Sequence, residues 1–93
     1  MPSMVEPARV SRQEMRSAVN FGVVALARAT GTSRQMPLTL RCECGGPACM
    51  TTVSISTADY ESAMSACHLL VSPEHRNGAR AIVGSLEWAI VEA

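Results

Sequence analysis

Three aromatic side chains, Phe21, Tyr60 and Trp88, are all that the 93 residues contain. A core without rings must be filled by alanine, valine, leucine, isoleucine and methionine, and is thin for its size. Lysine is absent too, so all eight basic residues are arginine. No run of five like charges occurs, and no basic stretch is interleaved with aromatics, which argues against a surface that stacks nucleic-acid bases. The apolar stretch at residues 18–27 is ten residues long, far short of the roughly 20 that cross a bilayer, and excludes a transmembrane span there. Length leaves room for one domain. At 47% hydrophobic, 17% charged and a mean hydropathy of +0.13, the chain is too apolar for intrinsic disorder.

Net charge is zero, but it is unevenly spread. Residues 1–41 carry six arginines against two glutamates, a balance of +4, and residues 42–93 carry two arginines against six acids, a balance of −4. The halves can pair internally, or the first can meet an acidic partner. Arg9, Arg12 and Arg16 ahead of residues 18–27, with Ala25-Leu26-Ala27 behind, imitate a secretory leader. Against that stand Asn20 and Gly22 inside the apolar region, Glu6 and Glu14 in its lead, and Arg28 directly after it. The segment is therefore read as a helix of the mature fold, the location as cytoplasmic, and the four cysteines as reduced thiols.

Residues 1–9, with Pro2 and Pro7, read as a flexible lead-in, and residues 10–93 as a single domain. Ser11 and Glu14 have the spacing of a capping box, so a helix is expected from Ser11 to about Thr30 and Gly31. Met15, Val19, Gly22 and Leu26 then recur at helical spacing. The flank of Ala18, Phe21 and Ala25 is apolar as well. This makes the region of Val19, Val23 and Leu26 a candidate surface for a protein partner or a second copy, unless the chain's own sheet wraps it. Alternation predicts strands over 37–42 and 51–56, and Ser56 with Asp59 predicts a helix over 58–67 with Tyr60, Met64 and Cys67 facing inward. Strands follow at 69–71, 80–83 and 86–91, the last two joined by a two-residue turn at Gly84-Ser85. The fold class is α+β: an N-terminal helix, a small antiparallel sheet with a knuckle turn, a second short helix and a C-terminal β-hairpin.

The knuckle, Cys42-Glu-Cys-Gly-Gly-Pro-Ala-Cys49, carries the chemistry. In extended backbone, residues i and i+2 project from one face, so Cys42 and Cys44 converge while Glu43 points away. Gly45 and Gly46 admit the tight turn and Pro47 stiffens its return, which brings Cys49 back as a third thiolate. Zinc takes four such ligands in a tetrahedron. For the fourth, His75 in the 72–78 loop is favoured by its free backbone, with Cys67 as the alternative and His68 nearby. The competing account of these cysteines is a disulfide or inert thiols.

Arg41-Cys-Glu-Cys-Gly-Gly-Pro-Ala-Cys49, Val53-Ser-Ile55, Asp59-Tyr60-Glu61, Leu70-Val-Ser-Pro-Glu-His75, Ala81-Ile-Val83 and Trp88-Ala-Ile-Val91 together resemble a family of small uncharacterised actinobacterial proteins. That family has a CECG-x3-C knuckle, an EYE helix, a V-x-PGH loop and a closing hairpin, and Arg16-Ser-Ala-Val-Asn20 is similar to its leading R-x-VN helix. The likeness runs over residues 14–92. It implies zinc ligands Cys42, Cys44, Cys49 and His75, and no activity. Two positions depart from the pattern: Glu74 stands for the family's loop glycine, and Met64 for its helix arginine.

Neither H-E-x-x-H nor the deaminase pair H-x-E and P-C-x-x-C is present. Three thiolates and a histidine close the shell of a metal and make it a poor Lewis acid. The expectation is thus a non-enzymatic, structural-zinc protein with no catalytic residue, acting as an adaptor or regulator by protein–protein contact. The alternatives are a thiol-based redox or zinc sensor, and a nucleic-acid accessory module using the arginines of the first half.

Overall fold

Alternating apolar residues pair residues 37–41 with 52–56, and a serine cap starts a helix directly after the second of these strands. The computed structural model describes residues 5–65, 67–76 and 78–93. In chain order these form α1 (Val5–Ala29), β1 (Pro37–Arg41), β2 (Thr52–Ser56), α2 (Thr57–Ala63), β3 (His68–Val71), a 3-10 turn (Pro73–His75), β4 (Ala81–Gly84) and β5 (Ala89–Glu92). This is the expected α+β order, with the strands divided between two antiparallel sheets, β1–β2 and β3–β5–β4. Leu38 faces Ile55 and Leu40 faces Val53 across the first. Leu70 faces Ile90 across the second. Val24, Leu40, Val53, Ile55, Tyr60, Leu70 and Ile90 form one core, with Leu38, Met64 and Trp88 packed on it. A second, smaller cluster gathers Cys42, Cys44, Val71, Ala89 and Val91.

The first helix departs from expectation in where it begins. It already runs at Val5, ahead of the Ser11 start, because a proline at position 7 falls in the first turn, where no intrahelical N–H is required. Residues 1–4 of the expected lead-in lie outside the described residues. The apolar stripe of the helix is not wrapped by the chain's own sheet, the second of the two arrangements the sequence left open. Asn20, Val24 and Ala27 are buried, whereas Met15, Val19 and Leu26 are 67%, 51% and 65% exposed. The apolar stripe thus faces outward. The inward face meets backbone carbonyls of the knuckle, and only donor side chains satisfy those.

At its far end α1 stops as expected, at Gly31 with φ 77°. Ser56 caps α2 by accepting a bond from the Asp59 N–H at 3.1 Å. That helix ends at Ala63 rather than Cys67, because Met64 turns extended. Residues 85–88 link β4 to β5 in place of a two-residue turn: the Ser85 hydroxyl accepts from the N–H groups of Glu87 and Trp88, and Ser85 N donates to the Trp88 carbonyl.

Candidate metal centre

Cys42 lies just past the end of β1, Cys44 two residues on, Cys49 on the return of the turn, and His75 at the end of the 3-10 turn. All four cysteines are free thiols. The ligand atoms of Cys42, Cys44, Cys49 and His75 lie within 4.8 Å of one another. His75 Nδ1 is 3.4 Å from Cys42 Sγ, 3.9 Å from Cys44 Sγ and 3.4 Å from Cys49 Sγ. In a tetrahedron with metal–sulfur bonds of about 2.3 Å and metal–nitrogen bonds of about 2.0–2.1 Å, the sulfur–nitrogen edge is about 3.6 Å. The observed distances bracket that edge. Hydrogen bonding alone does not account for them, since an imidazole nitrogen has one lone pair or one proton and cannot serve three thiols. The cluster could hold a metal ion.

Backbone N–H groups already point at the sulfurs: Ser72 N donates to Cys42 Sγ at 3.3 Å and Gly46 N to Cys44 Sγ at 3.5 Å. Such bonds orient thiolates and spread their charge. Without a metal the thiols differ in acidity. Burial pushes Cys42 up to about 12. At Cys49 burial acts in the same direction, but hydrogen bonds from Thr51 and from the neighbouring thiols outweigh it and bring that thiol down to about 7. A bound cation replaces the proton on each.

Glu43, between two of the cysteines, does point away from them, into the interior, where it is completely buried. Its Oε2 accepts from Asn20 Nδ2 at 2.7 Å and its Oε1 from Leu70 N at 3.1 Å, while Glu43 N donates to the Leu70 carbonyl at 2.7 Å. The Asn20 side chain also brackets Arg41, donating to its carbonyl and accepting from its N–H, both at 2.8 Å. Burial raises the Glu43 carboxyl above the usual carboxylate range, opposed by these bonds from Asn20 and Leu70. One carboxylate and one carboxamide therefore pin α1, the knuckle and β3 together.

Arginines complete the setting. Arg9 Nε donates to the Cys44 carbonyl at 3.1 Å, Arg12 Nε to Gly45 O at 2.7 Å, and Arg16 Nη2 to Gly46 O at 3.0 Å, with Gln13 Nε2 on Cys44 O at 3.4 Å. Gly45 is the point of closest approach. It has φ +80°, and a Cβ there would sit 2.7 Å from Arg9 Cγ and 2.8 Å from Gln13 Cγ. Sequence reading placed the three arginines on a cationic surface and did not assign them to the knuckle. The signal was their spacing, which puts residues 9, 12, 13, 16 and 20 on one helix face.

Of the other expected candidates, Cys67 is exposed and stands outside the cluster, because α2 ends four residues before it. His68 lies on β3 with its Nδ1 3.1 Å from the Ala63 carbonyl. No helix among the described residues is long and apolar enough to cross a membrane. Comparison with known proteins finds no family model, no curated protein and no solved structure that matches the chain, so the likeness to the actinobacterial family rests on its motif residues alone.

Proposed function

We propose that the chain is a non-enzymatic module whose fold is held by a structural zinc ion on Cys42, Cys44, Cys49 and His75, and which works by protein–protein contact. The observation that carries the reading is the set of sulfur–nitrogen distances, 3.4, 3.9 and 3.4 Å. Three thiolates with one imidazole are a closed and electron-rich shell, suited to structure and ill suited to activating water. The fourth ligand stands 26 residues beyond Cys49, so the ion closes a long loop and joins the first hairpin to the second sheet. A thin core is worth a few kcal/mol at this size, whereas structural zinc in finger peptides binds with about 10–16 kcal/mol. Elemental analysis should find one zinc per chain, and chelation should abolish the sheet signal in circular dichroism and expose Trp88. An apo protein with its native spectrum and melting temperature would overturn the structural role. His75→Ala should cost the metal, and Cys67→Ala should not.

Contact is assigned to the outward face of α1, with a second copy of this chain as the occupant. Met15, Val19, Gly22 and Leu26 follow a 4-3-4 spacing, the seam of paired helices. Antiparallel apposition sets Met15 against Leu26 of the second copy and brings Glu14 close to its Arg28, which already pairs with Glu61 of its own chain. Light scattering should give a dimer that Val19→Glu with Leu26→Glu converts to a zinc-loaded monomer. A monomeric wild type at millimolar concentration would refute this occupant. One observation keeps a redox role in view: Cys49 is the least buried of the three thiols, and peroxide should attack it first and release the ion.

A further inference from the structure

Beside the metal cluster opens a cleft of about 430 Å³, lined by Cys44 and His75 together with Arg9, Arg76, Arg80 and Glu92. The arginines come from three separate segments: α1, the residue after the 3-10 turn, and the residue before β4. Three arginines outnumber the one acidic side chain, and Ala93, the last residue, also lines the cleft. Ion pairs among the described residues are Arg28–Glu61 and Arg34–Glu61, and neither involves the cleft. Among the described residues Arg9 places only its Nε on a carbonyl, that of Cys44, and neither terminal nitrogen bonds to another group. His75 adds a further donor. Its Nδ1 faces the three sulfurs, so with a metal on Nδ1 the proton resides on Nε2, and no acceptor of the chain bonds to that nitrogen among the described residues. A metal-bound histidine ordinarily passes this N–H to a carboxylate, a carbonyl or water.

We infer that the cleft binds the phosphate group of a small phosphorylated molecule. Guanidinium forks arriving from several directions, with an imidazole N–H among them, match a tetrahedral dianion better than the two coplanar oxygens of a carboxylate. The space exceeds that of one phosphate and lies in the range of small-molecule sites, so it accommodates the group that carries the phosphate. None of Phe21, Tyr60 or Trp88 lines it, so it offers no ring on which a base could stack, and a nucleic-acid strand is the poorer fit. The inference goes beyond the structural-zinc reading and takes from it one point, the tautomer of His75.

The test is a titration of the zinc-loaded protein with inorganic phosphate, followed by NMR of the backbone and arginine side chains, with metal content measured before and after. Saturable shifts should centre on Arg9, His75, Arg76 and Arg80. Arg76→Ala and Arg80→Ala should each weaken binding by about tenfold, the worth of one charge-assisted contact. Both residues are exposed and outside the knuckle, so each variant should keep its zinc and its spectrum. Arg34→Ala, on a remote loop, should change nothing. Equal weakening by Arg34→Ala, absence of saturation, or tight binding of a single-stranded oligonucleotide that phosphate does not displace would each overturn the proposal. Protein that proves unable to bind zinc yet binds phosphate with the same arginine dependence would support the cleft while overturning the metal reading.

Discussion

A carboxamide at position 20 does what no apolar side chain could do there: it serves both backbone groups of Arg41 and one oxygen of Glu43. Alanine would leave these groups unpaired where water does not reach, and each orphan costs about 1–3 kcal/mol. Asn20→Ala should therefore lower stability by about 3 kcal/mol or more in denaturant titrations of the zinc-loaded protein. A loss under about 1 kcal/mol would mean that the network is slack. Tyr60 supplies a pH signature. Burial, and then the nearby Glu43 carboxylate, push its phenol from 10 up to about 12. Because the folded-state value is the higher one, the contribution is complete below pH 10 and is lost as pH climbs towards 12. Tyr60→Phe should flatten that alkaline decline, and an unchanged slope would assign the decline to other groups. The cysteines and His75 were legible as a possible site because metal ligands announce themselves by type and spacing. Asn20 was not, since one polar residue in an apolar run reads as an interruption until its partners, 21 and 23 residues away, are known.

At the scale of elements, α1 shows how periodicity locates a helix without saying which way it faces. Its outward stripe and its inward face have the same period, and the sequence left open whether the apolar one met the chain's own sheet or a partner. What decided the roll was a neighbour rich in carbonyls, for which Arg9, Arg12, Gln13 and Arg16 are the better complement. The strands of the first sheet were legible because Leu40, Val53 and Ile55 alternate towards one core, and the end of α2 was not, because Met64 leaves the helix for tertiary packing. The contact between α1 and the knuckle depends on the bare backbone at Gly45. Gly45→Ala must hold φ at +80° and push Arg9 and Gln13 aside, a combined cost of about 2 kcal/mol or more. Its signature should be loss of α1 helicity at temperatures where the β1–β2 hairpin persists, read by hydrogen exchange. Uniform destabilisation across both elements would contradict the local account.

At the scale of the whole molecule, two small cores and two small sheets meet at one knuckle, and every arginine of the first fifth of the chain is turned towards it. A chain without lysine offers trypsin only its arginines, and cleavage needs a segment that can be drawn out into the protease. Arg9, Arg12 and Arg16 are held in a helix and bonded to the carbonyls of residues 44–46, whereas Arg34, Arg76 and Arg80 lie exposed outside helix and strand. Limited digestion of the zinc-loaded protein should therefore cut at the latter three and spare the former. A chelator should bring the N-terminal sites into play together, since the knuckle is the common support of all three. Early cuts at Arg9, Arg12 and Arg16 in the loaded protein would show that α1 lifts without metal loss. The fragment pattern on a gel thus becomes a readout of metal occupancy, for a zinc ion that would itself be invisible to light.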